Sequence, residues 1–310
     1  MNEKNLEVCI LAAGFGTRMR SSIPKVMQTL AGRPLLGHLF NSVEKLNPEK
    51  IHVVVGPEID SVRQSFPSPN INWVTQAERL GTGHAVMQAL PHLGKDVRLL
   101  ILLGDAPLIS TNTMQELISS DAPLTVLTSN VDDPQGYGRI IRDHGASILA
   151  IIEERDATQQ QILIKEINTG VMAINSRNLS EWLPKLSRTN AQGELLLTDM
   201  VAIANEQAIE VNACVTEDEL EVRGVNTFVQ LGDLERSLQQ RYARDLQEAG
   251  VHLVDPQRFD QRGELVCGSD VYIDVNNIFE GQVILGDGVR VGANCHIIDS
   301  VIEDGTIIKD

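Results

Sequence analysis

A glycine-rich turn with neighbouring cations is the first feature of this chain that could do chemistry. Residues 11–19 read LAAGFGTRM, and Lys25 follows shortly after Pro24. Because Gly14 and Gly16 carry no side chain, backbone N–H groups can come close to a ligand there. A polyphosphate needs such donors together with positive charge, which Arg18 and Lys25 can supply. The pattern favours a nucleotide site over an ordinary strand-to-helix connection, although neither standard nucleotide motif fits it.

A carboxylate that directly follows a strand is the second candidate. The run 99–103 predicts a buried strand, and Gly104 and Asp105 come immediately after it. Mg²⁺ prefers oxygen ligands and usually takes one or two carboxylates together with phosphate oxygens. Asp105 is therefore a candidate metal ligand; the alternative is an aspartate that forms a turn or caps a helix before Pro107.

The segment QAERLGTGHA, residues 76–85, could recognise a base or a phosphate. Gly81 and Thr82 precede a predicted helix and would place amide and hydroxyl donors at its N-terminus. Gln76 can offer both a donor and an acceptor to the edge of a base. His84 lies at the start of the helix, where a structural histidine is favoured over a general base.

Short apolar runs alternate with helical patterns as far as about residue 225. The predicted strands are 6–11, 51–55, 97–103, 124–128 and 171–174, the last one after a turn-like EINTG at 166–170; the predicted helices are 35–46, 82–90 and 111–118. This alternation indicates a mostly parallel, Rossmann-like α/β sheet that is covered on both faces. Ligands of such sheets bind beyond the carboxyl ends of the strands, so both candidate features are expected to face one cleft.

A long amphipathic helix is predicted after the alternating region. Apolar side chains recur there at helical spacing, at Phe228, Leu231, Leu234 and Leu238. Gly250 supplies a C-terminal cap, and Asn226 is suited to the N-cap. We predict a first domain over residues 1–225, a connector helix over 226–250 and a last segment over 251–310.

The last segment carries a six-residue apolar periodicity. One series comprises Val271, Val283, Val289, Val301 and Ile307, with Asn277 and Cys295 at the intervening positions; a second series, offset by two, comprises Ile273, Leu285, Val291 and Ile297. The register resembles the hexapeptide repeat of a left-handed parallel β-helix, in which these side chains point into the core. A weakly repeating β-sandwich is the alternative. The repeats end at Asp310 after roughly two coils, so partner chains would cover the last coil or the chain is a shortened version of a longer one.

Composition narrows the possible partners. The net charge is −16, from 26 basic and 42 acidic side chains, which disfavours nucleic acids and anionic membranes. No apolar run approaches the length of a membrane span, and the N-terminus is no signal peptide. The four cysteines form neither a CxxC pair nor a disulfide framework. We expect a cytoplasmic protein without nucleic-acid or membrane partners.

These motifs together resemble the bacterial bifunctional N-acetylglucosamine-1-phosphate uridylyltransferases, and the resemblance extends through FDQRG at 259–263 into the repeats. It implies that Leu11, Ala12, Ala13, Gly14 and Lys25 hold the nucleoside triphosphate, that Gln76, Gly81 and Thr82 read uracil, and that Gly104 and Asp105 lie at the metal. Phe15 stands where the family commonly has lysine. Arg18 and Lys25 remain as the catalytic cations.

Segments farther along the chain are implied by the resemblance to surround the amino sugar. Gly138 would let the backbone approach the N-acetyl group, while Glu153 and Asn168 would bind the sugar. Glu153 is preferred to its neighbour Glu154, because adjacent residues on a strand point to opposite faces. Asn226 would supply the second contact to Mg²⁺. Around it the chain reads RGVNT where the family has EGVNN, so Arg223 and Thr227 depart from the pattern.

The resemblance implies that UTP and N-acetylglucosamine 1-phosphate form UDP-N-acetylglucosamine, a precursor of cell wall and lipopolysaccharide, and pyrophosphate. The family's acetyl-transferring site lies on later β-helix coils, so no acetyltransferase activity is expected from this sequence. Three alternatives stay open. One is a related enzyme for glucose 1-phosphate or a thymidine nucleotide, another is a non-catalytic nucleotide-sugar-binding module, and the third is a structural homotrimer assembled through the β-helix.

Overall fold

The structure is a computed structural model that describes residues 5–14, 16–57 and 59–309. Phe15, the departure from the family pattern noted above, and Asp310, where the repeats end, lie outside the described residues. The chain folds as two compact units. The first comprises residues up to 26 together with 36–224, and the second comprises residues 27–35 and 225 onward. Sequence patterns did not predict that 27–35 would belong with the C-terminal part.

Strands and helices are numbered here along the chain. The strands are β1 Leu6–Ala12, β2 Thr29–Leu30, β3 Arg33–Pro34, β4 Lys50–Val55, β5 Ile71–Thr75, β6 Arg98–Leu103, β7 Leu124–Asn130, β8 Gly138–Arg142, β9 Ile148–Ile152, β10 Glu166–Asn175, β11 Val211–Thr216, β12 His252–Leu253, β13 Phe259–Cys267, β14 Tyr272–Ile273, β15 Asn277–Leu285, β16 Arg290–Val291, β17 His296–Ile298, β18 Val301–Ile302 and β19 Ile307–Ile308. The α-helices are α1 Leu35–Glu44, α2 Ile59–Ser65, α3 Thr82–Ala89, α4 Thr111–Ser119, α5 Gln159–Ile162, α6 Ser176–Trp182, α7 Met200–Glu206, α8 Glu219–Val222 and α9 Phe228–Glu248. None of the helices among the described residues has the length and apolar character needed to cross a membrane.

A twisted, mixed sheet forms the centre of the first unit. Its strand order is β11-β7-β10-β6-β1-β4-β5, and β8 and β9 extend it from β10. The pairs β11–β7, β6–β1, β1–β4 and β4–β5 are parallel, whereas β10 runs antiparallel to both of its neighbours. The strands β1 and β6 are almost fully buried and apolar, as expected for strands covered by helices on both faces. The predicted α/β class is confirmed.

One predicted turn is part of a strand. The segment 166–170 was expected to be turn-like, but it belongs to the ten-residue strand β10. The turn-like composition marks a bulge instead, since the register of β10 against β7 shifts between Asn168 and Met172. Gly170 has φ +79° there, and a Cβ at this position would lie 2.4 Å from Cδ1 of Leu103. A glycine therefore allows β10 to bend over the end of β6.

The second unit contains the predicted long helix, now α9. Its N-cap is Thr227, whose hydroxyl accepts from the backbone N–H of Gln230 at 3.1 Å. The prediction that Asn226 caps the helix is wrong by one residue, because a threonine hydroxyl at the next position reaches the third N–H of the first turn. Asn226 instead donates its own backbone N–H to Oε1 of Gln230 at 2.8 Å. Leu234 and Leu238 are buried as predicted, but Phe228 is 51% exposed.

Residues 252–308 form stacked parallel strands of a short β-helix. One sheet has the order β12-β14-β16-β19, and another joins β13, β15 and β17, with β18 also paired to β15. All of these pairs are parallel, and successive coils are offset by 18 residues where β13, β15 and β17 meet. The core contains most of the predicted inward-facing residues, namely Val271, Ile273, Asn277, Val283, Leu285, Val289, Val291 and Ile297. The predicted repeat fold is therefore present in these coils.

The predicted register fails in the last described coil. Val301 and Ile307 were expected to face inward, but they are 71% and 64% exposed. Val301 pairs with Ile284 and Ile307 pairs with Arg290, so this coil is offset by 17 residues, not 18. A slip of one residue exchanges the two faces of a strand, because side chains alternate along it. Their following neighbours in sequence, Ile302 and Ile308, pack against the core instead.

Candidate active site

A cleft of about 340 Å³ opens in the first unit, where β1 and β6 end. Both strands are parallel, so their carboxyl ends meet at one edge of the sheet, and the chain leaves each strand into the cleft. The cleft is lined by Leu11, Ala12, Ala13, Gly14, Lys25, Val26, Gln76, Arg79, Gly81, Thr82, Ala85, Leu103, Asp105 and Glu194. The glycine-rich turn, the aspartate after β6 and the segment at the start of α3 thus share one cavity.

An ion pair lies in this cleft. The Nζ of Lys25 is 2.5 Å from Oδ2 of Asp105, and these side chains are only 9% and 21% exposed. Gly104 sets the position of the aspartate, because its N–H donates to the carbonyl oxygen of Leu11 at 2.9 Å. The end of β6 is thereby held against the end of β1. Since water screens a half-buried pair poorly, both charges act strongly on a ligand in the cleft.

Arg18 lies outside this set of lining residues. It belongs to the 3₁₀ helix Thr17–Met19, and its side chain is exposed. The structure therefore brings Lys25, but not Arg18, into the wall of the cavity. The catalytic role of Arg18 stays a prediction.

Gln76 is buried at 3% exposure while it lines the cleft. Its Nε2 donates to the carbonyl oxygen of Gly81 at 3.2 Å and lies 3.0 Å from Nδ1 of His84. The prediction that Gln76 offers both a donor and an acceptor to a base stays a prediction. The amide nitrogen is engaged within the protein, and the carbonyl oxygen Oε1 is the atom left for a ligand.

The residues predicted to bind a sugar gather on β8, on β10 and directly after β9, where Glu153 is the N-cap of the 3₁₀ helix Glu154–Asp156 and not part of a strand. Asn168 of β10 pairs with Gly138 of β8, and a Cβ on Gly138 would lie 3.6 Å from the carboxylate carbon of Glu153. Glu154 has other partners: its Oε2 accepts from the backbone N–H of Gly136 at 2.6 Å and from Nη2 of Arg139 at 3.1 Å. Glu153, not Glu154, thus stands beside Gly138.

Glu153 is electrostatically unusual. Burial raises the pKa of its carboxyl above the ordinary value of 4.5, and nearby Asp199, Asp156 and Glu194 raise it further, whereas a hydrogen bond from Thr198 lowers it. That bond joins Oγ1 of Thr198 to Oε1 of Glu153 at 3.2 Å. Glu153 consequently keeps its proton to a higher pH than an exposed glutamate does.

The segment 194–198 links these residues to the start of α3, and sequence reasoning missed it. The Leu195 N–H donates to the Leu80 oxygen at 2.7 Å, and the Leu195 oxygen accepts from Gly83 N–H at 2.8 Å. The Leu197 N–H donates to Oγ1 of Thr82 at 3.0 Å, so the Thr82 hydroxyl is an acceptor here. Thr198 then reaches Glu153. These backbone contacts bridge more than a hundred residues, and a sequence pattern gives no signal for them.

Gly81 allows this close approach and supplies a stability prediction. Its φ is +107°, and a Cβ there would lie 2.4 Å from the backbone oxygen of Leu195. Gly81→Ala should lower the free energy of unfolding by about 3–5 kcal/mol, through backbone strain plus overpacking. Gly193→Ala is the matched control, because φ is +66° but no atom lies within 4 Å of its Cβ position. The Gly193→Ala variant should lose about 1–2 kcal/mol of the free energy of unfolding. Urea unfolding measures both variants, and an equal loss of unfolding free energy in the two would contradict the steric argument.

Arg79 is a second cleft residue that was not predicted. Its Nε donates to the carbonyl oxygen of Ala13 at 2.6 Å, across 66 residues of sequence. It lines the cleft and also an adjoining cavity of about 220 Å³, which Ala12, Ala13, Gly14 and Val26 share with the cleft. A cation within QAERLGTG was the available signal, since a guanidinium is suited to phosphates. Arg79 therefore orders the glycine-rich turn from the side of α3.

The donor set fits a hard divalent cation that takes few protein ligands. The described residues contain no group of three or more His, Cys, Asp or Glu side chains that could hold a metal by themselves. Asp105 offers one carboxylate at the cleft, and an ion such as Mg²⁺ completes its shell with phosphate oxygens and water. Asn226 belongs to the second unit, and its part in a metal site stays a prediction.

Comparison with known proteins places the chain in a family. Residues 8–166 match the MobA-like NTP transferase domain. The chain is 46% identical over 306 residues to the bifunctional protein GlmU of Marinobacter nauticus, covering 98% of this chain and 67% of that protein. It is 48% identical to GlmU of Stutzerimonas stutzeri, over 98% of this chain and 68% of the relative. GlmU of Saccharophagus degradans is 50% identical, over 92% of this chain and 63% of the relative. The chain thus spans about two thirds of the length of these relatives.

A solved structure is similar in fold. It is a putative glucose-1-phosphate thymidylyltransferase from Bacillus anthracis, with a TM-score of 0.60 and 20% identity over 74% of this chain and 94% of that one. At this identity the likeness concerns the fold alone, whereas the GlmU relatives are far more similar in sequence. The strand order, the glycine-rich turn over β1 and the relatives together show that this chain is a nucleotidyltransferase and belongs to the GlmU family.

Proposed function

We propose that the protein forms UDP-N-acetylglucosamine and pyrophosphate from UTP and N-acetylglucosamine 1-phosphate. The observation that carries the proposal is the cleft, in which the glycine-rich turn, the Lys25–Asp105 pair and the amide of Gln76 line one cavity. Leu11, Ala12, Ala13 and Gly14 bind the triphosphate through their backbone. Gln76, Gly81 and Thr82 bind uracil, with Gly104 placing Asp105 beside the phosphates. The high similarity to GlmU proteins supports this specificity over a thymidylyl or glucosyl one.

The reaction is a displacement at phosphorus. An oxygen of the sugar phosphate attacks the α-phosphorus of UTP, and the bond from that phosphorus to the α,β-bridging oxygen breaks. Pyrophosphate leaves with the bonding electron pair. Because the nucleophile is already anionic, no side chain has to remove a proton from it. The protein accelerates the step through positioning and charge neutralisation.

Lys25 neutralises charge on the triphosphate, and Arg18 assists from the exposed 3₁₀ helix. Asp105 and Asn226 would hold Mg²⁺, which supplies further neutralisation of phosphate charge when it is bound. Asp105 has a second function in the protein itself, since it holds Lys25 at 2.5 Å. The lysine is thereby oriented before any substrate binds.

The sugar binds at Gly138, Glu153 and Asn168. An ionised Glu153 accepts hydrogen bonds from sugar hydroxyls, and the backbone at Gly138 lies against the N-acetyl group. Asn168 is 7% exposed, and its Oδ1 accepts from the Gly170 N–H at 3.2 Å, so its amide nitrogen can donate to the sugar. Support for this placement comes from the pairing of β8 with β10, which brings Gly138 and Asn168 together.

The raised pKa of Glu153 predicts how sugar binding depends on pH. As pH falls through this raised pKa the carboxylate gains a proton and loses acceptor capacity, so KM for the sugar phosphate should rise at a pH above the ordinary glutamate range. Glu153→Gln should raise KM at neutral pH and abolish this rise of KM at falling pH. Titration of the sugar phosphate itself is common to both proteins and cancels in the comparison. An unchanged KM profile in the variant would contradict the assignment.

Several wider properties belong to the same proposal. We place the protein in the cytoplasm, in the supply of precursors for cell wall and lipopolysaccharide, without nucleic-acid or membrane partners. The division into a domain over 1–225, a connector over 226–250 and a left-handed hexapeptide-repeat β-helix over 251–310 suits this function. A homotrimer through the β-helix is proposed as the assembly.

Pyrophosphate release tests the proposal directly. The purified protein is given UTP with N-acetylglucosamine 1-phosphate, with and without magnesium, beside a panel that substitutes dTTP and glucose 1-phosphate. We expect magnesium-dependent release with the first pair and much less with the others. A preference for dTTP or glucose 1-phosphate would replace the assignment by the related enzyme class. Binding of UDP-N-acetylglucosamine without any turnover would indicate the non-catalytic module.

A further inference from the structure

His84 lies behind Gln76, between two glutamine side chains. Its Nδ1 is 3.0 Å from Nε2 of Gln76, and its Nε2 is 3.1 Å from the side-chain amide of Gln88, one turn later on α3. His84 is not among the residues that line the cleft. Since protein groups face both ring nitrogens, this histidine acts on a ligand only through Gln76.

We propose that His84 is a positioning residue that fixes the orientation of the Gln76 amide and thereby makes the site select uracil over cytosine. The inference rests on the proposed uridine specificity of the cleft and deepens it. It assigns to His84 a part in base discrimination, where the residue pattern indicated a structural histidine. The argument has three steps, each drawn from the contacts of the Gln76 side chain.

The first step is the orientation of the amide. A backbone carbonyl oxygen only accepts hydrogen bonds, so the Gln76 atom that lies 3.2 Å from the Gly81 oxygen is the nitrogen Nε2. An amide nitrogen has two hydrogens. The first donates to Gly81, and the second is directed at His84 Nδ1 at 3.0 Å.

The second step is the state of the imidazole. Nδ1 can accept only when it carries no hydrogen, so the neutral ring has its proton on Nε2. That N–H faces the Gln88 amide, which accepts from it when a half-turn of the amide brings its oxygen to the ring. The half-turn gives up the contact of Gln88 Nε2 with the His84 carbonyl oxygen at 3.4 Å, whereas a half-turn of Gln76 would give up the shorter contact with the Gly81 oxygen at 3.2 Å. The ring is thereby fixed as an acceptor toward Gln76. The Gly81 oxygen and His84 together require both amide hydrogens to point away from a ligand.

The third step is the base. With its nitrogen engaged, Gln76 presents Oε1 to a ligand in the cleft. Uracil offers N3–H, which donates to this oxygen. Cytosine carries a lone pair at N3, so two acceptors would face each other and the contact would be repulsive. A site that leaves a buried polar group unpaired discriminates strongly against the wrong ligand.

The test compares UTP with CTP in variants of His84. His84→Ala removes one of the two acceptors that orient the Gln76 amide, so that reversing it costs only the 3.2 Å contact with the Gly81 oxygen. The reversed amide can donate to N3 of cytosine. The ratio of kcat/KM for UTP to that for CTP should fall about tenfold, as expected for one hydrogen bond. His84→Asn should keep most of the wild-type ratio, because a side-chain carbonyl oxygen can take the place of Nδ1. His92→Ala, an exposed histidine after α3, is the control and should leave the ratio unchanged.

Binding of the two nucleotides by calorimetry, with thermal unfolding of each variant, separates the outcomes. Binding does not need turnover, so wild type that prefers UTP yet releases no pyrophosphate would overturn the proposed function alone. A folded His84→Ala protein with the wild-type preference for UTP would overturn the proposed positioning role of His84. The positioning role is also overturned if His84→Asn loses the preference as fully as His84→Ala does, because the asparagine oxygen would then not replace Nδ1 as the acceptor. A reduced ratio in alanine that is restored in asparagine supports the inference.

Discussion

Asp105→Asn is expected to lower kcat by about three orders of magnitude. Asparagine has nearly the same size but no charge, so it offers a much weaker oxygen to a divalent cation. It also removes the anionic partner that holds Nζ of Lys25 at 2.5 Å. The variant therefore loses the proposed metal site and the orientation of the lysine together. Pyrophosphate release over a range of magnesium concentrations measures both effects, since a weakened metal site needs more magnesium.

Asp96→Asn is the matched control for this change. Asp96 lies just before β6, at the opposite end of the strand from Asp105, and its exposed side chain pairs with Arg177. Its φ of +62° is one that asparagine tolerates well. Activity should stay near the wild-type value in this control. A fully active Asp105→Asn protein would refute the proposed metal ligand, and thermal unfolding of both variants shows whether either effect comes from loss of the fold.

Lys25→Met is the second large effect, with kcat reduced by about 10²- to 10³-fold, or ~3–4 kcal/mol of transition-state stabilisation. Methionine keeps most of the aliphatic volume while it removes the cation. Lys25 is only 9% exposed on its side chain, so solvent cannot replace the missing charge beside the triphosphate. The loss should appear mainly in kcat, because the charge that Lys25 neutralises grows as pyrophosphate departs. Single-turnover measurements with saturating UTP separate this from weakened binding.

Lys45→Met provides the comparison for the lysine. Lys45 is exposed just after α1, and its substitution should change neither kcat nor KM. The double variant Lys25→Met with Asp105→Asn adds a test of coupling. Because the two side chains form one ion pair, their effects should be less than additive. Full additivity would mean that the pair acts as two independent groups, contrary to the geometry of the cleft.

Much of the fold could be predicted from local pattern. Strands β1, β4 and β6 and helices α1, α3 and α4 lie within a few residues of their predicted bounds, because buried strands and amphipathic helices have distinct apolar periods. The meeting of Gly14 with Asp105 also follows from pattern, since parallel strands bring their carboxyl ends to one edge. These features depend on neighbours in sequence or on a topological rule.

Predictions failed where a long-range contact or a single-residue shift decided the outcome. The 194–198 segment reaches Leu80, Thr82 and Glu153 through hydrogen bonds that are mostly made by the backbone, which any sequence could make. The change from an 18- to a 17-residue offset turned Val301 outward, although the six-residue spacing of apolar residues continued. Period alone does not fix register.

At the candidate site, too, residue types account for some features and the tertiary structure for others. The types and order of residues predicted that a glycine-rich turn, Lys25 and Asp105 serve a nucleotide, because charge and backbone freedom are properties of the residues themselves. Only the tertiary structure decided that Lys25 pairs with Asp105, that Arg79 donates to Ala13 and that the amide nitrogen of Gln76 donates to Gly81. Hydrogen bonds and ion pairs depend on distance and direction, and those are set when separate parts of the chain pack together.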